Sequence, residues 1–63
     1  MTFAQFANRQ GLGEHSSMID LLDCAVDYYE EHVRPMPADD NYLEDWFDRA
    51  NAFAVWAVDK AEL

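Results

Sequence analysis

A small all-α domain, a three-helix bundle, is the fold class this sequence predicts, on three observations. Apolar residues recur at three- and four-residue steps through the C-terminal third, from Leu43 to Ala61, the mark of one buried helical face. Residues that cap helices, Thr2, Ser16 or Ser17, and Asp39, Asp40 or Asn41, stand at the head of three separate segments. Glycine and proline fall only between those segments, in GLG and RPMP. At 63 residues the chain can be only one domain, near the lower limit at which a chain folds without disulfides or metal, so its core must be small. Half the residues are apolar and 14% are aromatic, which separates the chain from disordered acidic tails.

Taken in order, Thr2 with Gln5 has the form of a capping box, and Phe3, Phe6 and Ala7 share a face before Gly11 and Gly13. This predicts a short helix over about 2–10. Ser16 or Ser17 then opens a second helix over about 17–33, which ends before Pro35 because proline disfavours a helical Arg34. Its apolar face is expected to comprise Met18, Leu22, Ala25, Val26, Tyr29 and Val33. Residues 34–40 form a proline-containing linker. A third helix over about 41–61 buries Leu43, Trp46, Phe47, Ala50, Phe53, Ala54, Ala57, Val58 and Ala61. A strand over NAFAVWAV would break the period that begins at Leu43, so the helix is preferred.

Charge is the other strong signal. Thirteen Asp and Glu against four Lys and Arg give a formal net charge of −9. That balance excludes direct binding to nucleic acid or anionic lipid, both polyanions, and makes a basic protein the natural partner. MTFAQFANRQ lacks the basic start and apolar run of a signal peptide, and AFAVWAV is too short to span a bilayer; a soluble, cytoplasmic protein is expected.

The carboxylates are also patterned. At ~100° per residue, Asp20, Asp23, Asp27, Glu30 and Glu31 fall within about 100° of arc on the second helix, opposite most of its apolar residues. They span roughly 16 Å, about one charge every three to four ångströms, close to the ~3.4 Å axial spacing along one DNA strand. On the third helix Glu44, Asp45, Asp48, Asp59 and Glu62 occupy a similar arc. The first three extend the charged surface. The period alone leaves open whether the two ridges lie side by side or point apart. An ordinary exposed helix gains from interspersed Glu–Lys pairs, whereas Asp23–Asp27 and Asp27–Glu31 are like-charge pairs that cost a few tenths of a kcal/mol each. Solubility and adaptation to high salt are competing explanations for such a surface.

In size, charge and the segments DLLDCAVDYYEE and DDNYLEDWFD, the chain resembles the very small, acidic, cysteine-poor proteins of bacteriophages that act as DNA mimics and anti-CRISPR proteins. That resemblance implies an inhibitor in a bacterial host whose carboxylates engage the Lys and Arg of a nucleic-acid-binding protein such as a CRISPR effector. It carries over no individual residue. The alternative is a helical interaction module, antitoxin-like or adaptor, that works through apolar contacts. Val55 and Trp56 lie outside the apolar arc of the third helix and could anchor a partner or a dimer, or cover a bundle edge. Tyr28, beside Tyr29, is a third candidate, since one tyrosine of such a pair commonly packs while the other reaches water. Either reading allows a monomer or a homodimer.

Catalysis is not expected. The lone Cys24 suits the core, His15 lies in the GLGEHSS loop, and His32 sits near a helix C-terminus, so neither a Cys–His pair nor zinc-ligand spacing arises. GLG lacks the lysine of a phosphate loop, and DDNYLED lacks the central glycine of an EF-hand. No cofactor is implied.

Overall fold

The structure, a computed structural model, describes residues 1–61. It contains three helices, α1 (Phe3–Arg9), α2 (Met18–His32) and α3 (Asp40–Lys60), and no strand among the described residues. Each begins on a side-chain cap. In α1 the Thr2 hydroxyl accepts from the Gln5 amide at 3.2 Å while Gln5 Oε1 accepts from the Thr2 amide at 3.0 Å, the reciprocal box expected from the spacing. Gly11, at φ 81°, takes the left-handed conformation that lets the Leu12 amide turn back to the Ala7 carbonyl at 3.0 Å and ends the helix.

Ser17 caps α2 through the Asp20 amide at 3.2 Å, and neighbouring Ser16 instead ties the loop by accepting from the Gly13 amide. The Val33 and Arg34 amides both fold back on the Tyr29 carbonyl, and Pro35 then prevents continuation. Of the three residues able to cap α3, Asp39 does so, accepting from the Asn41 amide at 3.0 Å. Asn41 therefore lies inside the first turn.

α2 and α3 form an antiparallel hairpin. Tyr29, late in α2, meets Trp46, early in α3, with ring centroids 5.6 Å apart. Met18 and Leu22, early in α2, share a hollow with Val55 and Val58, late in α3. Alanines at 50, 54 and 57 and Ala25 let the helices approach closely, and aromatic rings fill the remaining space. α1 lies against the hairpin, packing Phe3, Phe6 and Ala7 with Cys24, Ala25, Ala54 and Ala57.

The connector is fastened by the indole of Trp46, whose Nε1–H donates to the Arg34 carbonyl at 2.9 Å. Trp46 is the largest fully buried side chain, so this bond satisfies both its polar atom and a carbonyl released at the end of α2.

The buried face of α2 is rotated from the expected one. Leu21 and Cys24 are buried with Ala25 and Tyr29, whereas Met18 and Val33, expected inside, are mostly exposed. The cause is α1. It covers the Cys24–Tyr28 side of α2, so the apolar face spans two contacts and Met18 and Val33 at its ends are left mostly exposed. Phe47, expected in the core of α3, lies at its edge, 41% exposed, with its ring against the outer side of Trp46.

Candidate functional site: the acidic ridge of α2

Asp20, Asp23, Asp27, Glu30 and Glu31 are all exposed on α2. The Ser17 cap and the docking of α1 fix the rotation of the helix, which turns this row outward. Three of the five come together: Asp20, Asp23 and Asp27 line a shallow hollow of about 210 Å³ with Gln10 and Leu12, the residues that follow α1. Cys24 forms part of its floor. Burial, and then the charge of Asp27, push the Cys24 thiol up from its ordinary value, so at neutral pH it is a neutral core group and not a nucleophile.

The ridge has little internal compensation. Among the described residues, no Lys or Arg lies within 4 Å of Asp20, Asp23, Asp27 or Glu30, and Glu31 has only His32 at 3.9 Å. α3 differs. Arg49 Nε donates to Asp45 Oδ2 at 2.9 Å across one helical turn, and Lys60 stands 3.9 Å from Asp59. Glu44 and Asp48 are exposed, and Glu62 lies outside the described residues.

Packing also separates the two sets. Asp45 belongs to a hollow with Arg34, Tyr42 and Trp46, and Asp59 to another with Met18, Val55 and Val58; neither hollow holds a carboxylate of α2. At ~100° per residue, the α3 carboxylates sit opposite its buried Trp46–Ala50–Ala54–Ala57 stripe, and the α2 ridge sits away from Val26 and Tyr29, which face α3. The ridges therefore point to different sides of the hairpin. Glu44, Asp45 and Asp48 do not prolong the α2 row on one surface.

The apolar candidates divide as well. Tyr28 is half-buried and committed to the fold: it stacks on Phe53 at 5.9 Å, meets Phe3 and Phe6 edge-on, and its hydroxyl donates to the Met1 carbonyl at 2.7 Å. Tyr29 is the buried member of the pair. Val55 and Trp56, by contrast, are 62% and 60% exposed. They sit on different sides of α3, Val55 over the hollow near Met18 and Trp56 beside an apolar groove bordered by Phe3, Val33 and Phe53.

Sequence reasoning overlooked Arg49, although its spacing of four from Asp45 was visible, and it overlooked exposed Ile19. His15 is almost fully exposed beside Glu14, while His32 lies against the rings of Tyr28 and Phe6 at the end of α2. No group of His, Cys, Asp and Glu among the described residues is arranged to hold a metal ion, and none of their helices is long and apolar enough to cross a membrane. Compared with protein-family models, curated proteins and solved structures, the chain matches none.

Proposed function

We propose that this protein is an acidic inhibitor that occupies the basic nucleic-acid-binding surface of another protein, its carboxylates taking the place of phosphates. The observation that carries this reading is the uncompensated row Asp20, Asp23, Asp27, Glu30 and Glu31, set on a rigid helix and turned outward. Carboxylates held in this way accept bidentate hydrogen bonds from Arg, and the surrounding negative field raises the rate of encounter with a basic groove. The class that the sequence resembles makes CRISPR effectors the first partners to test, with the protein acting as an anti-CRISPR or related phage anti-defence factor. On α3, Glu44 and Asp48 provide a separate acidic surface, and Asp45 contributes less because Arg49 is bonded to it.

The test is capture of partners from bacterial lysate on immobilised protein, washed at low and high salt, followed by competition with duplex DNA. A DNA- or RNA-binding protein released by salt and displaced by duplex supports the reading. The triple variant Asp23→Lys, Asp27→Lys, Glu30→Lys should lose that partner while keeping its helical circular dichroism; normal binding by a folded triple variant refutes it.

One observation favours a second reading, a helical interaction module of antitoxin or adaptor type. Val55 and Trp56 stand free on α3. A partner held at one of them would resist high salt and would be lost on substitution of that residue.

A further inference from the structure

α1 fills one side of the α2–α3 hairpin, and on the other side large apolar residues reach solvent. At ~100° per residue, Cys24 and Tyr28, which meet α1, lie on one side of Tyr29, and Ile19, Leu22 and Val26 lie on the other. There a hollow of about 510 Å³ opens between the helices, lined by Met18 and Leu22 of α2 and by Val55, Val58 and Asp59 of α3. Met18, Ile19 and Val55 are 60%, 72% and 62% exposed. Carboxylates border this apolar strip on both helices. On α2, Asp23 stands one turn after Ile19 and about 40° further out; on α3, Asp59 lines the hollow and Asp48 lies about 20° from Val55, two turns before it. Among the described residues, neither Asp23 nor Asp48 has a Lys or Arg within 4 Å, and Asp59 has only Lys60, at 3.9 Å.

We propose that this strip is the docking site for a basic amphipathic helix of another protein, its apolar face against Ile19, Leu22, Val55 and Val58 and its Lys or Arg side chains beside Asp23, Asp48 and Asp59. The fold argues for a helix. Two packed helices leave a groove on each side, and α1 already shows how this hairpin fills one, with Phe3, Phe6 and Ala7 set against Cys24, Ala25, Ala54 and Ala57. The open strip runs about 12 Å from Met18 to Val26, the length of roughly eight helical residues. Charge argues for a basic one. An apolar stripe flanked by cations matches an apolar strip flanked by carboxylates on both sides, the helix-in-groove mode of recognition. A second copy of this chain would bring the same aspartates together, and nucleic acid and anionic lipid would meet them with like charge.

The site gives a partner chemistry to the interaction-module reading at Val55 and rests on it. The deciding experiment is calorimetric titration of the full chain with a synthetic peptide of leucine and lysine, the leucines at three- and four-residue steps, and with a scrambled peptide of the same composition that has no apolar face. The amphipathic peptide should bind one to one, roughly tenfold or more tightly than the scrambled one. Val55→Glu and Ile19→Glu separate docking from bulk attraction. Each adds negative charge, so attraction by net charge alone would tighten binding, whereas docking on the strip should weaken by about tenfold or more because a carboxylate is then buried against leucine. Trp56→Glu adds the same charge away from the strip and should not weaken binding. All three change exposed side chains, and circular dichroism checks that each variant is folded. Equal affinity for the two peptides overturns the proposal, as do folded Val55→Glu and Ile19→Glu variants that bind as tightly as Trp56→Glu. So does a wild type that is dimeric before peptide is added and becomes monomeric through Val55→Glu, since the strip is then filled by a second copy. If the peptide is refused while a salt-resistant partner from lysate is still lost in Val55→Glu, the module reading stands and the basic helix falls.

Discussion

Neutralising the centre of the α2 ridge should make the protein more stable. Asp27 has three like-charged neighbours at helical spacing, Asp23 four residues before it and Glu30 and Glu31 three and four after, and no Lys or Arg within 4 Å among the described residues. At ~0.2–0.5 kcal/mol for each like-charge pair, Asp27→Asn removes about 0.6–1.5 kcal/mol of repulsion at low ionic strength. Asn and Asp have similar helix propensity, and Asp27 lies mid-helix where the helix dipole has little effect, so few other terms change. In a domain of this size 1 kcal/mol corresponds to roughly 4–8 °C, and the melting temperature should rise by about 2–12 °C. The assay is thermal denaturation by circular dichroism at low salt and again near 1 M, where a Debye length of ~3 Å should erase most of the difference. Asp45→Asn is the matched control. It removes a carboxylate bonded to Arg49 and should be neutral or slightly destabilising, since exposed i,i+4 pairs contribute only ~0.3–0.5 kcal/mol. An Asp27→Asn protein that melts at or below the wild-type temperature in low salt would refute the account of the ridge as a surface kept against a stability cost.

Trp46→Ala should lose ~3–5 kcal/mol, comparable with the whole stability of ~3–9 kcal/mol expected at this length, and show no cooperative transition in urea. Asp39→Ala should lower stability by about 1 kcal/mol through loss of the α3 cap, whereas Asp39→Asn, which can still accept from the Asn41 amide, should melt close to wild type. The Cys24 thiol should react slowly with a disulfide reagent at pH 8 and rapidly once urea unfolds the chain. Because its pKa is raised above 9.0 only in the folded state, the unfolded chain loses the proton first, and stability should fall as pH climbs through and above that value. A pH titration of the urea midpoint checks the sign.

The helices were legible because their ends are written in local chemistry. Thr2–Gln5, Ser17, Asp39, Gly11 and Pro35 act within a few residues of where they stand. The face of α2 was less legible because a period of 3.6 records that a residue is apolar without recording which neighbour covers it. Cys24 packs against seven-residue α1, a tertiary contact, and Leu21 is buried with it on that side of the helix, while Met18 and Val33 belong to the expected apolar arc but stay more than half exposed. The acidic row could be read entirely from spacing. Its separation from Glu44, Asp45 and Asp48 could not, because that depends on how α3 is rotated against α2. The place of Trp56 outside the arc left packing at a bundle edge or exposure to a partner both open, and the groove beside it is built from three elements distant in sequence.

The two tryptophans give the molecule two optical reporters with separate subjects. Trp46, 2% exposed, is shielded from an aqueous quencher such as acrylamide until the hairpin opens, whereas Trp56, 60% exposed, is quenched in the folded chain and shielded only if something covers it. A quenching titration therefore resolves an accessible and an inaccessible emitter in one sample. Loss of the inaccessible fraction reports unfolding, and loss of the accessible fraction reports contact at the groove between α1 and α3, with no label attached.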